Sequence, residues 1–235
     1  MTAILTATSI LRRLLLTPVR AGVSILLGGL LTLAAVGGNF GGNSNASLVP
    51  DLVTGGLLLV VVPLISLIFA VGALGDLVDD ETMVYFWLKP LPRWQLGVAA
   101  AFATWQFVVP ISVLIAAAVA LGGGDPEMLV PAAVACAMAS VAYSSLFIGL
   151  GLRTTRSLLA GLVFVLIWEG FLAGISEGIA TISIRRWSNA LFAELAELRS
   201  TMAPASALSA TVVMLTVVVV GMLLTARWLT TREVP

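Results

Sequence analysis

Few residues of this chain are of types that could carry out chemistry. The 235-residue sequence contains no histidine and one cysteine, Cys136. Serine–histidine catalysis and histidine-dependent metalloprotease chemistry are therefore excluded, as are an intrachain disulfide and a thiolate metal cluster. A phosphate-binding P-loop requires Gly-Lys-Ser/Thr, whereas the single lysine, Lys89, is followed by Pro90. The sequence therefore predicts a chain that is not an enzyme and that holds no cofactor of its own.

Three polar side chains, Gln106, Glu169 and Glu177, lie inside otherwise apolar stretches. An ionised acid deep in a bilayer costs on the order of 3 kcal/mol, so Glu169 must face a cavity or a partner, or be protonated. Glu177 follows about two turns later on nearly the same helical face. These groups could line a substrate or proton path, or they could make an interhelical hydrogen bond worth roughly 0.6–2 kcal/mol. We expect the hydrogen bond, since isolated buried polar groups more often fix helix packing.

The elements that position these residues are apolar helices. Hydrophobic residues make up 60% of the chain and charged residues 10%, a composition that indicates an integral membrane protein. The formal net charge is zero and no basic domain exists, which argues against a nucleic-acid partner. Six segments are long enough to cross roughly 30 Å of hydrocarbon. They are residues 19–36, 52–74, 96–121, 128–152, 158–179 and 207–228.

The distribution of basic residues predicts the orientation of the chain. Connections 37–51 and 122–127 contain no Lys or Arg, whereas most basic residues lie at the two ends and in the other connections. The positive-inside rule therefore places both termini in the cytoplasm. The exception is the connection 180–206, which contains Arg185, Arg186 and Arg199. We expect a single transmembrane domain over residues 1–235 of an all-α, multi-pass protein with six spans.

Two segments outside these spans are predicted to be amphipathic helices. In residues 1–18, leucines and isoleucines gather opposite Arg12 and Arg13, which favours an interfacial helix over a signal peptide. In the outer segment 180–206, Ser188 can cap a helix running to about Arg199. That helix is too short to span a membrane. It could lie on the outer surface, which we favour from periodicity, or act as a lid or re-entrant element.

The connection 75–94 differs from the apolar segments on either side of it. It holds four of the twelve acidic residues and the only lysine. Asp79 or Asp80 can cap a short helix, and Pro90 would terminate it. Between them, residues 83–88 are six consecutive apolar residues that rise only about 9 Å as a helix, and they also have strand propensity. Docking to a partner and residence among lipid headgroups explain this run equally well.

The order of these elements resembles the membrane subunits of ABC-2 type transporters. In that family the loop between spans two and three has an acidic start, a Thr, an apolar run, then Pro and a basic residue. This chain has Glu81 where many members have Gly, but it otherwise follows the pattern. The segments 168–170 and 183–187 also look like those of actinobacterial members. The matching loop residues are Asp79, Asp80, Glu81, Thr82, Met83, Val84, Tyr85, Phe86, Trp87, Leu88, Lys89 and Pro90.

The resemblance implies a permease subunit of a bacterial ABC exporter in the cytoplasmic membrane. Residues 79–90 would form a coupling helix that docks on separate cytoplasmic ABC ATPase subunits, which carry ATP and magnesium. A second permease copy or paralogue would complete the path among membrane lipids, and short outer helices would lie between spans five and six. The alternative from a different class is a transporter not driven by ATP, a channel subunit or a scaffold, with Glu169 as an ion or proton site.

Overall fold

The computed structural model describes residues 2–15, 17–40, 48–79, 93–153, 156–172, 181, 183–198 and 206–231. Within these ranges all regular secondary structure is helical and no strand occurs. The predicted all-α class is therefore confirmed. The segment 80–92, most of the predicted coupling segment, lies outside the described residues, as does Glu177.

The described helices are labelled here in chain order. Helix α1 spans Thr2–Leu15 and α2 spans Pro18–Phe40. Helix α3 has three consecutive parts, namely Leu48–Asp51, a π-helical part Leu52–Val61, and Val62–Asp79. Helix α4 spans Arg93–Gly122, and a 3₁₀ turn at Pro126–Met128 leads into α5, Leu129–Arg153. Helix α6, Ser157–Val163, continues as a π-helical part, Phe164–Leu172. Helices α7, Ile184–Leu195, and α8, Ala207–Thr231, complete the described chain.

Five helices are long and apolar enough to cross a membrane. Their membrane-length portions are Pro18–Asn39, Leu48–Gly75, Trp94–Gly122, Pro126–Arg153 and Ala207–Thr231. They coincide with five of the six predicted segments, as expected of a multi-pass membrane protein. The predicted segment 158–179 begins as a shorter apolar helix, Ser157–Gly170, and its last residues, 173–179, lie outside the described ranges.

Helices α3 and α5 form the centre of the bundle. In α3, 78% of the apolar window is buried, against 17% in α2 and 17% in α8. The two outer helices instead expose large apolar side chains such as Leu26, Leu208 and Leu223. In water this exposure would be unfavourable, whereas in a bilayer such side chains can face lipid. The burial pattern therefore agrees with the composition.

Helix α1 is amphipathic, as predicted, and packs on α4. Ala7, Leu11 and Leu15 recur every four residues and are buried on one face. Arg12 is exposed, and its guanidinium lies 5.9 Å from the centre of the Phe107 ring in α4. A cation over an aromatic face is attracted by the ring quadrupole. This contact helps to fix α1 along α4.

Helices α5 and α8 approach closely at a glycine. A Cβ on Gly221 of α8 would come 2.9 Å from the backbone oxygen of Ser145 in α5. A real Cβ does not come this close to a backbone atom, so no residue with a side chain fits here without moving a helix. Small residues allow this backbone approach in membrane bundles, where dispersion contacts hold helices together.

The first residue of α7 differs from the prediction. The predicted cap was Ser188, but the helix begins at Ile184 and ends at Leu195, with Ser183 as its N-cap. Ser188 lies inside the helix, where its hydroxyl donates to the Arg185 carbonyl at 3.0 Å. The side chain of Ser183 instead accepts from the Arg186 amide at 3.3 Å. The physical reason for the earlier start is the contact of this N-terminus with Glu169.

Candidate functional site

Glu169 is the predicted polar residue that the structure places in the interior. It lies in the π-helical continuation of α6 and is fully buried. A buried carboxylate requires hydrogen-bond donors, because its desolvation is otherwise uncompensated. Those donors come from the N-terminus of α7, so two elements separated by the connection 173–183 meet at this residue.

Three groups at the start of α7 donate to the Glu169 carboxylate. The Ser183 hydroxyl donates to Oε2 at 2.5 Å, the Ile184 amide to Oε1 at 3.0 Å, and the Arg185 amide to Oε2 at 3.3 Å. The first amides of a helix have no intrahelical acceptor, and the positive end of the helix dipole favours a negative charge there. Glu169 therefore caps α7 from a different element, in addition to the local cap by Ser183.

The Arg185 side chain also binds the backbone of Glu169. Its guanidinium Nη1 donates to the backbone carbonyl of Glu169 at 3.2 Å. In a π-helix the carbonyl is paired five residues on rather than four, so a side-chain donor adds to a less regular hydrogen-bond ladder. The contact thus joins both the side chain and the backbone of Glu169 to α7. Arg185 is one of the three arginines in the connection 180–206 that the predicted orientation did not explain, and its bond to Glu169 gives it a structural role.

Tyr143 of α5 completes the cluster. Its side chain is fully buried, and its hydroxyl lies beside the Glu169 carboxylate and the Arg185 backbone. The ring stacks on Phe147 at 5.9 Å, and Phe147 meets Phe164 of α6 edge-on at 6.0 Å. Aromatic contacts therefore surround the polar cluster on the α5–α6 side.

The cluster lies at mid-depth in the bundle. Tyr143 is four turns along α5 from Leu129, a rise of about 20 Å. Helix α7 packs on α5, on α8 and on the π-helical part Leu52–Val61 of α3. Just before that part, Val49 packs against Gly123, which directly follows the end of α4. The π-helical part of α3 therefore lies in the half of the bundle that contains the C-terminal end of α4. Helix α7 therefore packs in this half of the bundle, with its N-terminus beside the middle of α5.

A second polar contact joins α4 to α5. The Trp105 indole donates to the Ser144 hydroxyl at 3.0 Å, and the Ser112 and Ser140 hydroxyls share a hydrogen bond of 2.7 Å. Ser140 and Ser144 also bond to carbonyls one turn back in their own helix, at 2.6 Å each. Each hydroxyl is satisfied within the bundle, so these bonds fix helix packing and leave no free polar group for a ligand.

The other predicted site residues do not join the Glu169 cluster. Gln106 is exposed on the outer face of α4, and Pro110 four residues later cannot donate to the Gln106 carbonyl. Asp79 is the last residue of α3. Glu177 and residues 80–90 lie outside the described ranges, so the predicted roles of these residues stay predictions.

Among the described residues, no group of three or more His, Cys, Asp or Glu side chains could hold a metal ion. Comparison with protein-family models and with curated proteins finds no match to this chain.

Sequence reasoning identified Glu169 but missed the groups that bind it. Ser183 carries a recognisable signal, since serine is a strong N-cap residue and a helical pattern follows it. Ser188 offered the same signal, and periodicity alone did not choose between them. Tyr143 carried no signal, because one tyrosine in an apolar span is ordinarily part of the core.

Proposed function

We propose that this chain is the permease subunit of an ATP-driven ABC exporter, with six spans and both termini in the cytoplasm. The order of the elements carries the proposal. An amphipathic helix, α1, precedes the membrane-length helices, and a short helix, α7, enters the bundle between the fifth apolar segment and α8. The loop pattern of residues 79–90 adds the family resemblance. The fifth apolar segment crosses the membrane as the remaining span.

Residues 79–90 form the coupling helix in this proposal. They connect the end of α3 at Asp79 to the start of α4 at Arg93, and α3 is the most buried membrane-length helix. A force applied to this connection would act directly on the centre of the bundle. The apolar residues 83–88 dock on a cytoplasmic ABC ATPase, which supplies ATP and magnesium.

The working assembly comprises two ATPase subunits and a second permease copy or paralogue in the bacterial cell membrane. The exposed apolar faces of α2 and α8 leave ample surface for lipid or for a second permease. Movement of the ATPases alternately opens a path between the permeases.

The alternative of a proton or ion site at Glu169 is disfavoured by its contacts. A coupling carboxylate needs free lone pairs or access to water, whereas Glu169 is fully buried and accepts from three α7 donors. Glu169→Gln distinguishes the two functions. An exporter keeps ATP-driven transport in this variant, while a carrier coupled through Glu169 loses its ion dependence.

Co-purification tests the exporter proposal. The tagged chain is expressed with a separately encoded ABC ATPase subunit that carries G-x-x-x-x-G-K-S/T, and is isolated in nanodiscs. We expect a stable complex whose ATPase activity differs from that of the free ATPase. A permease chain that transports without any such subunit contradicts the proposal.

A further inference from the structure

A groove lies on the outside of the bundle between the start of α4 and the end of α8. Its volume is about 280 Å³. The two helices touch beside it, since a Cβ on Gly97 of α4 would come 3.1 Å from Cγ2 of Thr225 in α8. Where the helices diverge from this contact, they leave what we call the α4–α8 groove. Its lining is apolar and includes Trp94, Val98, Val218, Met222, Leu223 and Ala226.

The length of the α4–α8 groove matches one leaflet of a bilayer. Along α8 its lining extends from Val218 to Ala226, a rise of about 12 Å. Half of the hydrocarbon core is about 15 Å thick. Trp94, which is 50% exposed, lies at the mouth of the groove, where the chain enters α4. Tryptophan side chains gather at the level of the lipid headgroups, so the groove runs from that level towards the middle of the membrane.

The groove is too small for a helix of another protein. A helix about 10 Å across would fill 280 Å³ in less than one turn. A hydrocarbon chain is much narrower and can lie along the whole length of the groove. The rim consists of aliphatic side chains that face outwards, such as Val219 and Leu223, which are 56% and 64% exposed. In a membrane such side chains contact lipid, so the occupant that fits the groove is an acyl chain.

The mouth of the groove favours a negative charge. Arg227 follows Ala226 on α8, one turn after Leu223, and its side chain is exposed. An arginine at this level can lay its stem on apolar surface and keep its guanidinium among the headgroups. The positive end of the α4 dipole lies at the same mouth, because α4 begins at Arg93.

The acidic side chains that the structure describes are elsewhere. They lie at the opposite end of the bundle or on α6 and α7, namely Asp51, Asp125, Glu127, Glu169, Glu194 and Glu197. Helix α3, whose last residue is Asp79, packs mainly on α4 and α5 and does not line the groove. Among the described side chains, an anion at the mouth of the groove therefore meets Arg227 without a competing carboxylate.

We propose that the α4–α8 groove binds one acyl chain of an anionic phospholipid, whose phosphate is held by Arg227. The guanidinium presents its N–H donors in a planar fork that matches phosphate oxygens. The lipid is thus recognised by two adjacent parts of one site, the apolar lining and the arginine at its mouth. Binding requires only that the helices lie in a bilayer, and it does not depend on the proposed exporter function.

Fluorescence quenching by brominated lipids tests this site. The protein is reconstituted in phosphatidylcholine vesicles that contain increasing shares of either brominated phosphatidylglycerol or brominated phosphatidylcholine. The two lipids carry the same brominated chains and differ in the charge of the head. Bromine quenches a tryptophan that it contacts, and the difference between wild type and Trp94→Phe isolates the signal of Trp94.

We expect brominated phosphatidylglycerol to quench Trp94 with a several-fold higher apparent affinity than brominated phosphatidylcholine. Arg227→Gln removes this preference. Arg156→Gln keeps it, because Arg156 is exposed at the same end of the bundle but at the start of α6, away from the groove lining. Equal quenching by the two lipids in wild type, or equal losses in the two arginine variants, overturns the proposal. Absence of Trp94 quenching by either lipid shows that protein, such as a second copy of the chain, covers the groove, and this also overturns it.

Filling the groove tests the position of the acyl chain. Ala226→Phe places a ring in the groove and is expected to lower the apparent affinity for brominated phosphatidylglycerol several-fold. Leu208→Phe is the control, since Leu208 is 76% exposed at the other end of α8, and we expect no change. An affinity that Ala226→Phe leaves unaltered means that the chain does not lie in the groove, and the proposal is then wrong.

Discussion

At the scale of residues, the contact that organises the site is a helix cap provided from outside the helix. Glu169 accepts from Ser183, Ile184 and Arg185, and Arg185 returns a bond to the Glu169 carbonyl. Hydrogen bonds to charged groups contribute about 1.5–3 kcal/mol each, and removing a partner leaves the buried donors unsatisfied. A single carboxylate therefore determines where α7 begins and which element it is attached to.

Ser183→Ala is expected to destabilise the protein more than Ser188→Ala. Ser183 both caps α7 and donates to Glu169, so its loss costs about 1–2 kcal/mol. Ser188 bonds to a carbonyl of its own helix, so its loss costs less than about 0.5 kcal/mol. Denaturant unfolding of the two purified variants measures the difference. Equal losses would show that the helix does not begin at Ser183.

At the same scale, the sequence predicted the unusual acid but not its partners. Glu169 stands out because an acidic residue in an apolar span is costly wherever it lies. Its donors are backbone amides, a serine and an arginine from a later segment, and which of them it meets depends on tertiary packing. The expected interhelical hydrogen bond is present, although its partner is a short helix rather than another span.

At the scale of elements, composition and length were enough to locate five membrane-length helices, since a run of apolar residues needs no partner to be recognised. The π-helical parts Leu52–Val61 and Phe164–Leu172 were not predicted, because apolar residues fit an α-helix and a π-helix equally well. The predicted start of α7 at Ser188 was wrong for a similar reason. Two serines offered equivalent caps, and the acid that selects Ser183 lies on another element.

Gly221→Ala is expected to separate α5 from α8. The added Cβ would meet the Ser145 backbone oxygen at 2.9 Å, and overpacking of this kind costs about 1–3 kcal/mol. Gly29→Ala is the matched control, since nothing lies within 4 Å of a Cβ at that position. The two variants are compared by thermal unfolding in one detergent. A Gly221→Ala variant as stable as Gly29→Ala would contradict the close contact.

Thiol labelling tests the orientation of α7. Cys136 is fully buried and is expected to react slowly, so introduced cysteines can be followed against it. Glu194→Cys is on an exposed face and reacts rapidly with maleimide, whereas Leu191→Cys is buried and reacts slowly. Adding Glu169→Ala raises the Leu191→Cys rate, because the N-terminus of α7 loses its anchor. A rate unaffected by Glu169→Ala means that the carboxylate does not hold the helix in place.

At the scale of the whole molecule, the central helix α3 ends at Asp79, where the predicted coupling segment begins, and α7 packs on the opposite half of the bundle, beside the π-helical part Leu52–Val61. The composition predicted a multi-pass helical protein, and the described residues are helical, with five helices long and apolar enough to cross a membrane. The connection between α3 and α4 lies largely outside the described residues. Its proposed coupling role therefore rests on its sequence, in which acidic residues precede the apolar run 83–88 and Pro90 follows it.

The most direct test of the exporter proposal is the effect of Trp87→Ala on the ATPase activity of the reconstituted complex. Trp87 is in the apolar run of residues 79–90, and Phe102→Ala, an exposed aromatic of α4, is the matched control. We predict that Trp87→Ala abolishes the influence of the permease on ATP hydrolysis and stops transport while the chain stays inserted, and that Phe102→Ala changes neither. Normal ATPase association and transport in Trp87→Ala would contradict the proposal.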